Sequence, residues 1–212
     1  VLDPFPYKDV DSLMSIRVSD PTGRGRTYYT TDQYLEFAQR STIFDGVIAS
    51  TISDVVWTGA GDPQRLRGNH ITTNTFDVMG VPPLLGRAVR LSDGAPGAEP
   101  VVVLGFKFWQ RQFGGETTVV GRRMILNGVT RTVVGVMPKR FMWRGADVYV
   151  PVVFERGRVV EGVRDVHVLG RLKPAVTAAQ AEADLRPIVA DLVQREPTQF
   201  PYKDWRVGLL SF

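Results

Sequence analysis

Hydrophobic and polar positions alternate with a period of two in several short runs and with a helical period in others, and the two kinds of segment follow one another along the chain. The first alternating run, SLMSIRVSD from Ser12 to Asp20, predicts a strand that ends at the turn DPTGRG. Behind it, QYLEFAQR sets Tyr34, Leu35, Phe37 and Ala38 on one helical face, with Thr31 or Asp32 as the N-cap. GVIASTISDVVWTGAGD and PQRLRGNHIT are rich in β-formers and separated by Gly-Asp-Pro, so they predict an antiparallel pair between Gly46 and Thr72. A short helix at NTFDVMG follows, capped by Thr73 or Asn74 and ended by Gly80, and Pro82 with Pro83 forbids its continuation.

From about Leu84 the pattern tightens. DGAPGAEP reads as a surface loop, VVVLG as a buried strand, and FKFWQRQF as a helix stopped by Gly114 and Gly115, its Phe108, Trp109 and Phe113 forming core. RRMIL and VTRTVVGV then flank Asn127-Gly128, a dipeptide that accepts the positive φ of a two-residue hairpin turn. Counting outward pairs Leu126 with Val129, Ile125 with Thr130 and Met124 with Arg131. DVYVPVVF adds a last strand, which makes 84–154 a compact α+β unit. The tail then resumes the longer strand and helix runs that precede Leu84. VHVLGRLK is a strand, and TAAQAEADLRPIVADLVQRE is a helix opened by a Thr177–Gln180 capping box. In it Ala181, Leu185, Ile188 and Leu192 form the apolar stripe and Pro187 sits off that stripe in a kink; WRVGLLSF closes as a strand. The fold class is therefore α+β, with βαβ-type halves from both chain ends, compatible with a split ferredoxin-like arrangement, around an inserted unit.

Composition narrows the function. A chain of 212 residues, 43% hydrophobic and 23% charged, has the make-up of a folded globular protein. Such a chain buries about 70% of the surface its unfolded form exposes. The net charge of +4 comes from basic residues scattered in pairs, such as Arg24 and Arg26 or Arg122 and Arg123, without the basic stripe of a nucleic-acid binder. The absence of cysteine excludes disulfides, thiol nucleophiles and thiolate metal sites. No apolar run approaches the roughly 20 residues that span a bilayer, and the first residues lack the order of a signal peptide, so the chain as it stands is expected to be soluble.

Chemistry-bearing motifs are scarce. His70 and His167 belong to no metal-binding cluster; Asp165 with His167 is the best metal fragment and is two ligands short. TGAGDP is followed by Pro63 and a β-rich run where a dinucleotide loop needs a helix, so it reads as a turn. No phosphate-binding loop or nucleophile elbow occurs, and carboxylates such as Asp62 and Asp77, or Glu116 and Asp147, have no spacing that pairs them. These residues predict no enzyme, no cofactor and no metal.

Read together, VVVLGFKFWQRQFGGETTVVGRRMILNGVTRTVVGVMP resembles the middle of the extracytoplasmic domain of MacB-like ABC transporter permeases, in particular the duplicated permeases without a fused ATPase. NTFDVMGVPPLLGR looks like the family's segment joining two subdomains, DVYVP like its return, and VLGRLKPAVTAAQAEADL like its strand-helix tail. The opening VLDPFPYKDVDSL looks like the linker after a first transmembrane helix. The resemblance implies a porter-like subdomain at 1–83 and 155–212 and an inserted, sabre-like one at 84–154. It implies a periplasmic domain of an inner-membrane permease that couples cytoplasmic ATP hydrolysis to efflux or envelope remodelling by mechanotransmission. Its partners would be a second permease subunit or duplicated half, a cytoplasmic ATPase reached through the full-length chain and, in the MacB case, a periplasmic adaptor, with no nucleic acid. The family has no catalytic residues here to transfer. Pro187 and the Trp143 loop depart from what the family pattern explains. A stand-alone extracytoplasmic ligand-binding module and a hydrolase are the competing readings. Within MPKRFMWRGAD, which joins two strands, Arg140, Trp143 and Arg144 are the candidate partner contact, because Trp and Arg dominate interface hot spots.

Overall fold

Residues 7–59, 61–200 and 204–212 are described by the computed structural model, so the linker-like reading of the first six residues lies outside the described residues. In chain order, β1 (Leu13–Ser19) leads through two short pairing segments, β2 (Gly25–Arg26) and β3 (Tyr28–Tyr29), to α1 (Thr31–Arg40). β4 (Phe44–Thr58), β5 (Gln64–Thr72), α2 (Thr75–Met79) and β6 (Leu85–Gly86) follow. The middle holds β7 (Val101–Leu104), α3 (Phe106–Phe113), β8 (Arg123–Leu126), β9 (Val129–Val136) and β10 (Val148–Val152). β11 (Val166–Leu172), α4 (Ala178–Arg195) and β12 (Arg206–Ser211) complete an α+β fold.

Two compact units share the chain: Asp9–Ala49 with Phe154–Phe212, and Ser50–Val153 together with Tyr7 and Lys8. The second unit begins at Ser50 rather than at the expected 84. The reason is strand pairing: β5 runs parallel to β10, with Val148 opposite Gly68 and Val152 opposite Thr72, which ties residues 68–72 to the later strands.

In the first unit the strand order is β12-β1-β11 and then the start of β4, with β1 antiparallel to both neighbours. Leu13, Ile16, Val18, Ile48, Val166, Val168 and Leu169 supply its core. Helix α1 begins one residue before the expected caps: Thr30 is the N-cap, and its capping box with Gln33 satisfies donors at both positions. Helix α4 opens with the expected Thr177–Gln180 box and runs on through Pro187, burying Ala181, Leu185, Ile188 and Leu192. The two helices are joined by polar groups. Gln33, fully buried, donates to Glu196 and Gln199 and accepts from Arg26, while Asp184 accepts from Ser41 Oγ and from the N–H and hydroxyl of Thr42.

In the second unit the pairings close on themselves. From β4 they run to β5, β10, β7, β9 and β8, and β8 returns to β4 through Trp57 opposite Leu126 and Thr58 opposite Ile125. One side of this six-stranded ring carries the core: Val55, Trp57, Leu66, Val102, Leu104, Met124, Leu126, Val133, Val148 and Val150, with Phe108 and Trp109 added by α3. The hairpin has the predicted register, Asn127 at φ 49° and Gly128 at φ 77°. Asn127 also does something its turn role does not require. Its backbone N–H donates to Val56 O at 2.9 Å, and its Oδ1 accepts from Val56 N–H at 2.7 Å, so the turn clips the ring shut on β4.

Candidate contact surface

The loop from Met137 to Asp147 carries the expected contact residues, and the structure separates them. Trp143 is 5% exposed and faces the unit's own core, so it is no partner contact as it stands. Its neighbour Phe141 shows why: at 2% exposure it anchors an aromatic cluster, with ring centroids 5.4 Å from Tyr149, 5.7 Å from Phe76, 5.7 Å from Tyr7 and 6.4 Å from Trp143. Tyr149, buried on β10, donates its hydroxyl to Trp143 O at 3.2 Å, and burial raises that phenol far above its ordinary pKa. Tyr7, at the cluster's edge, is pushed up to about 12 by the same desolvation.

The loop's far end is held by Arg67, which donates Nε to Arg144 O at 2.8 Å and its backbone N–H to Asp147 Oδ2 at 3.0 Å. Asp147 in turn pairs with Arg111 at 3.0 Å, and Glu116 pairs with Arg122, so each carboxylate of the pair singled out in the sequence is held by an arginine. What the loop turns outward is Lys139, Arg140 and Met142, the last 58% exposed, with Arg144 partly exposed in a left-handed backbone conformation. A cavity of about 220 Å³ beside them is lined by Lys107, Arg111, Lys139, Phe141, Met142 and Asp147. Arg140 and Arg144 therefore stay on the surface while Met142 takes the apolar place expected of Trp143. No local signal marks the split, since Phe141, Met142 and Trp143 are all apolar in sequence and only the first and last are buried, between a turn at Lys139–Arg140 and a short helical turn that starts at Trp143.

His167 Nε2 lies 2.8 Å from Ser15 Oγ, and its ring is 5.5 Å from that of Tyr28. Among the described residues no group of three His, Asp or Glu side chains converges as a metal would require. No helix of the described residues is long and apolar enough to cross a membrane.

Solved structures that share this fold include three from transporter or permease proteins. A domain of a protein described as a permease from Porphyromonas gingivalis superposes with a TM-score of 0.65 at 15% identity, over 97% of this chain and 93% of that one. The periplasmic region of MacB from Actinobacillus actinomycetemcomitans gives 0.63 at 17%, over 95% and 89%. The extracellular domain of the noncanonic ABC-type transporter YknZ from Gram-positive bacteria gives 0.56 at 18%, over 91% and 98%. The architecture is thus one found in extracytoplasmic domains of transporter proteins. At the sequence level, the model of the MacB-like periplasmic core domain matches residues 2–188, and the chain belongs to that family. No curated protein matches it.

Proposed function

We propose that this domain is a non-catalytic, extracytoplasmic part of an ABC-type permease, on the periplasmic side of the inner membrane, and that it couples ATP hydrolysis by cytoplasmic subunits to export or envelope remodelling. Membership of the periplasmic core family over residues 2–188 carries the reading. The unit built from the chain ends, with its paired βαβ segments, would be the porter-like part, and the ring around the hairpin would include the sabre-like part. Coupling would act through protein contacts, with a second permease half and a periplasmic adaptor as partners.

The exposed side of the Met137–Asp147 loop is the contact we assign to this function: Arg140 and Arg144 supply charge, and Met142 an adaptable apolar side chain. In the full-length permease, Arg140→Glu combined with Met142→Asp should abolish most transport or complex formation. In the 212-residue chain the same pair should leave unfolding within about 0.5 kcal/mol of the parent, because exposed substitutions rarely do more. Full transport with unchanged assembly would remove the loop from the contact surface. Transmembrane coupling is tested separately, by whether the full-length chain carries apolar spans of about 20 residues on both sides of the domain.

A further inference from the structure

Strand register turns two basic side chains toward the core-facing side of the ring. Arg131 lies opposite Met124 across the β8–β9 ladder and two residues before Val133, and both of those are core residues. Residues paired across a ladder, or two apart on one strand, share a face. His70 is placed by the same rule: it lies opposite Val150 on β10 and Thr51 on β4, four residues after Leu66. Both point into the end of the ring where β7 starts at Val101 and where β5 and β10 finish at Thr72 and Val152.

The pair is unusual in what surrounds it. Among the described residues Arg131 makes one hydrogen bond, a long one of 3.5 Å from Nη1 to Val101 O, and its other N–H groups are left to water. Arg131 forms no ion pair among the described residues, the carboxylate of Glu99 being bonded to the adjacent Thr132, and burial lowers its pKa, while Arg87 and Arg40 are raised, first of all by hydrogen bonds to Asp93 and Glu36. His70 is held below its ordinary value first by burial and then by the charge of Arg131, so the two groups feel one another across the interior. The core-side residues paired with them, Thr51, Val150 and Met124, are uncharged. Both basic residues are only partly buried, which leaves them reachable from water.

A partly desolvated cation without a counter-charge adds little to stability, and donors that still face water are open to a ligand. We infer that the Arg131–His70 end of the ring binds a small oxyanion group, a carboxylate or a phosphate, which supplies the missing charge. The planar guanidinium presents two parallel N–H groups to two oxygens of such a group, and the imidazole of His70 offers a further donor. Thr51, opposite His70, adds a hydroxyl on the same face. This site is independent of the contact loop and of the transport reading.

The two histidines of the chain make the test direct, because His167 belongs to the other unit and serves as an internal reference. The imidazole resonances of the 212-residue chain would be followed by NMR at about pH 6, where histidine reports its surroundings. Sulfate, inorganic phosphate and acetate are titrated separately, against sodium chloride at matched ionic strength. The His70 resonances should move saturably, with a midpoint on the order of 1 mM, as for one charge-assisted bidentate contact, while His167 stays in place. Arg131→Gln should weaken the midpoint about tenfold or more, and Arg131→Lys less, because an ammonium keeps the charge but loses the fork. If the glutamine variant does not fold, Arg131→Met keeps the stem's packing, and the readout becomes the rise of melting temperature with sulfate, present in the parent and lost in the variant. A phosphate midpoint tighter than that of acetate assigns the site to phosphoryl groups, and the reverse order to carboxylates. No saturable His70 shift with any of the three probes, or an Arg131→Gln chain that binds like the parent, would overturn the inference.

Discussion

In the unit built from the chain ends, one carboxylate, Glu36, takes ion pairs from Arg40, Arg156 and Arg195; in the unit built around the hairpin, the residues at comparable depth are Trp57, Phe108 and Met124. The side chain of Glu36 is 8% exposed and its three arginines 39%, 52% and 44%, so the charge network sits at the rim of the helix layer and joins α1 to α4 and to the segment before β11. Among the described residues the second unit has only single ion pairs, such as Asp93 with Arg87 and Asp147 with Arg111, and none of them closes the ring. The ring closes by backbone pairing and by aromatic contact, with Trp57 and Phe108 edge to face at 5.8 Å and Phe108 and Phe113 at 5.9 Å. Two units held in such different ways should fail under different conditions. Charge networks respond to acid and salt, and apolar cores respond to lost volume.

The largest effect expected is on the ring. Phe108 is fully buried between α3 and the strands, so Phe108→Ala should cost about 3–5 kcal/mol through lost transfer energy and the cavity left behind. Hydrogen exchange, read separately over Ser50–Val153 and over Phe154–Phe212, should show the loss in the first segment. Equal loss in both would mean that the units unfold as one and share a single mode of failure.

Glu36 sharpens the other side of the comparison. The Arg40 hydrogen bond first, and the charges of Arg156 and Arg195 after it, hold its carboxyl below the ordinary value of 4.5. A depressed folded pKa contributes stability that is fully present above the unfolded value and is lost as pH falls through the folded one. The chain-end unit should therefore lose stability from about pH 4.5 downward. Glu36→Gln should weaken that unit by about 2–3 kcal/mol at neutral pH and flatten its acid dependence. Urea unfolding at a series of pH values checks both, and an acid profile identical to that of the parent would remove Glu36 as the source.

How much of this is legible in the sequence depends on the range of the interaction. Asn127-Gly128 and Thr177–Gln180 act within four residues, and both appear as expected. The cap of α1 falls one position before the expected pair because Thr31 and Asp32 offer the same capping chemistry as Thr30, and only the backbone angle at Thr30 decides among them. Trp143 departs from its expected place for a different reason. Loop composition describes local solubility, whereas its burial is set by Phe141, Tyr149 and Phe76, a cluster that other elements help to build. In the Glu36 network Arg40 stands at helical i,i+4 spacing, whereas the pairs with Arg156 and Arg195, like the Arg131–His70 pair, join residues far apart in sequence that no spacing rule covers. The early start of the second unit is hidden likewise, since a parallel pairing of β5 with β10 leaves no turn signal between the partners.

The smallest effect tests the closure of the ring itself. Asn127 has two separable roles, accepting a left-handed backbone at φ 49° and holding Val56 N–H through Oδ1. Glycine keeps the first and removes the second, because it adopts positive φ without a Cβ penalty. The bond is exposed, so water replaces part of it, and Asn127→Gly should cost only about 0.5–1.5 kcal/mol. The loss should be local, with faster exchange of the Val56 amide and of the short Trp57–Leu126 and Thr58–Ile125 ladder, while the β8–β9 hairpin amides keep their protection. Asn127→Ala adds the strain of a left-handed non-glycine residue, on the order of 1 kcal/mol more, and should loosen the hairpin too. If glycine and alanine cost the same, the turn tolerates either residue; if glycine costs nothing, backbone pairing alone closes the ring and the side chain of Asn127 has no part in it.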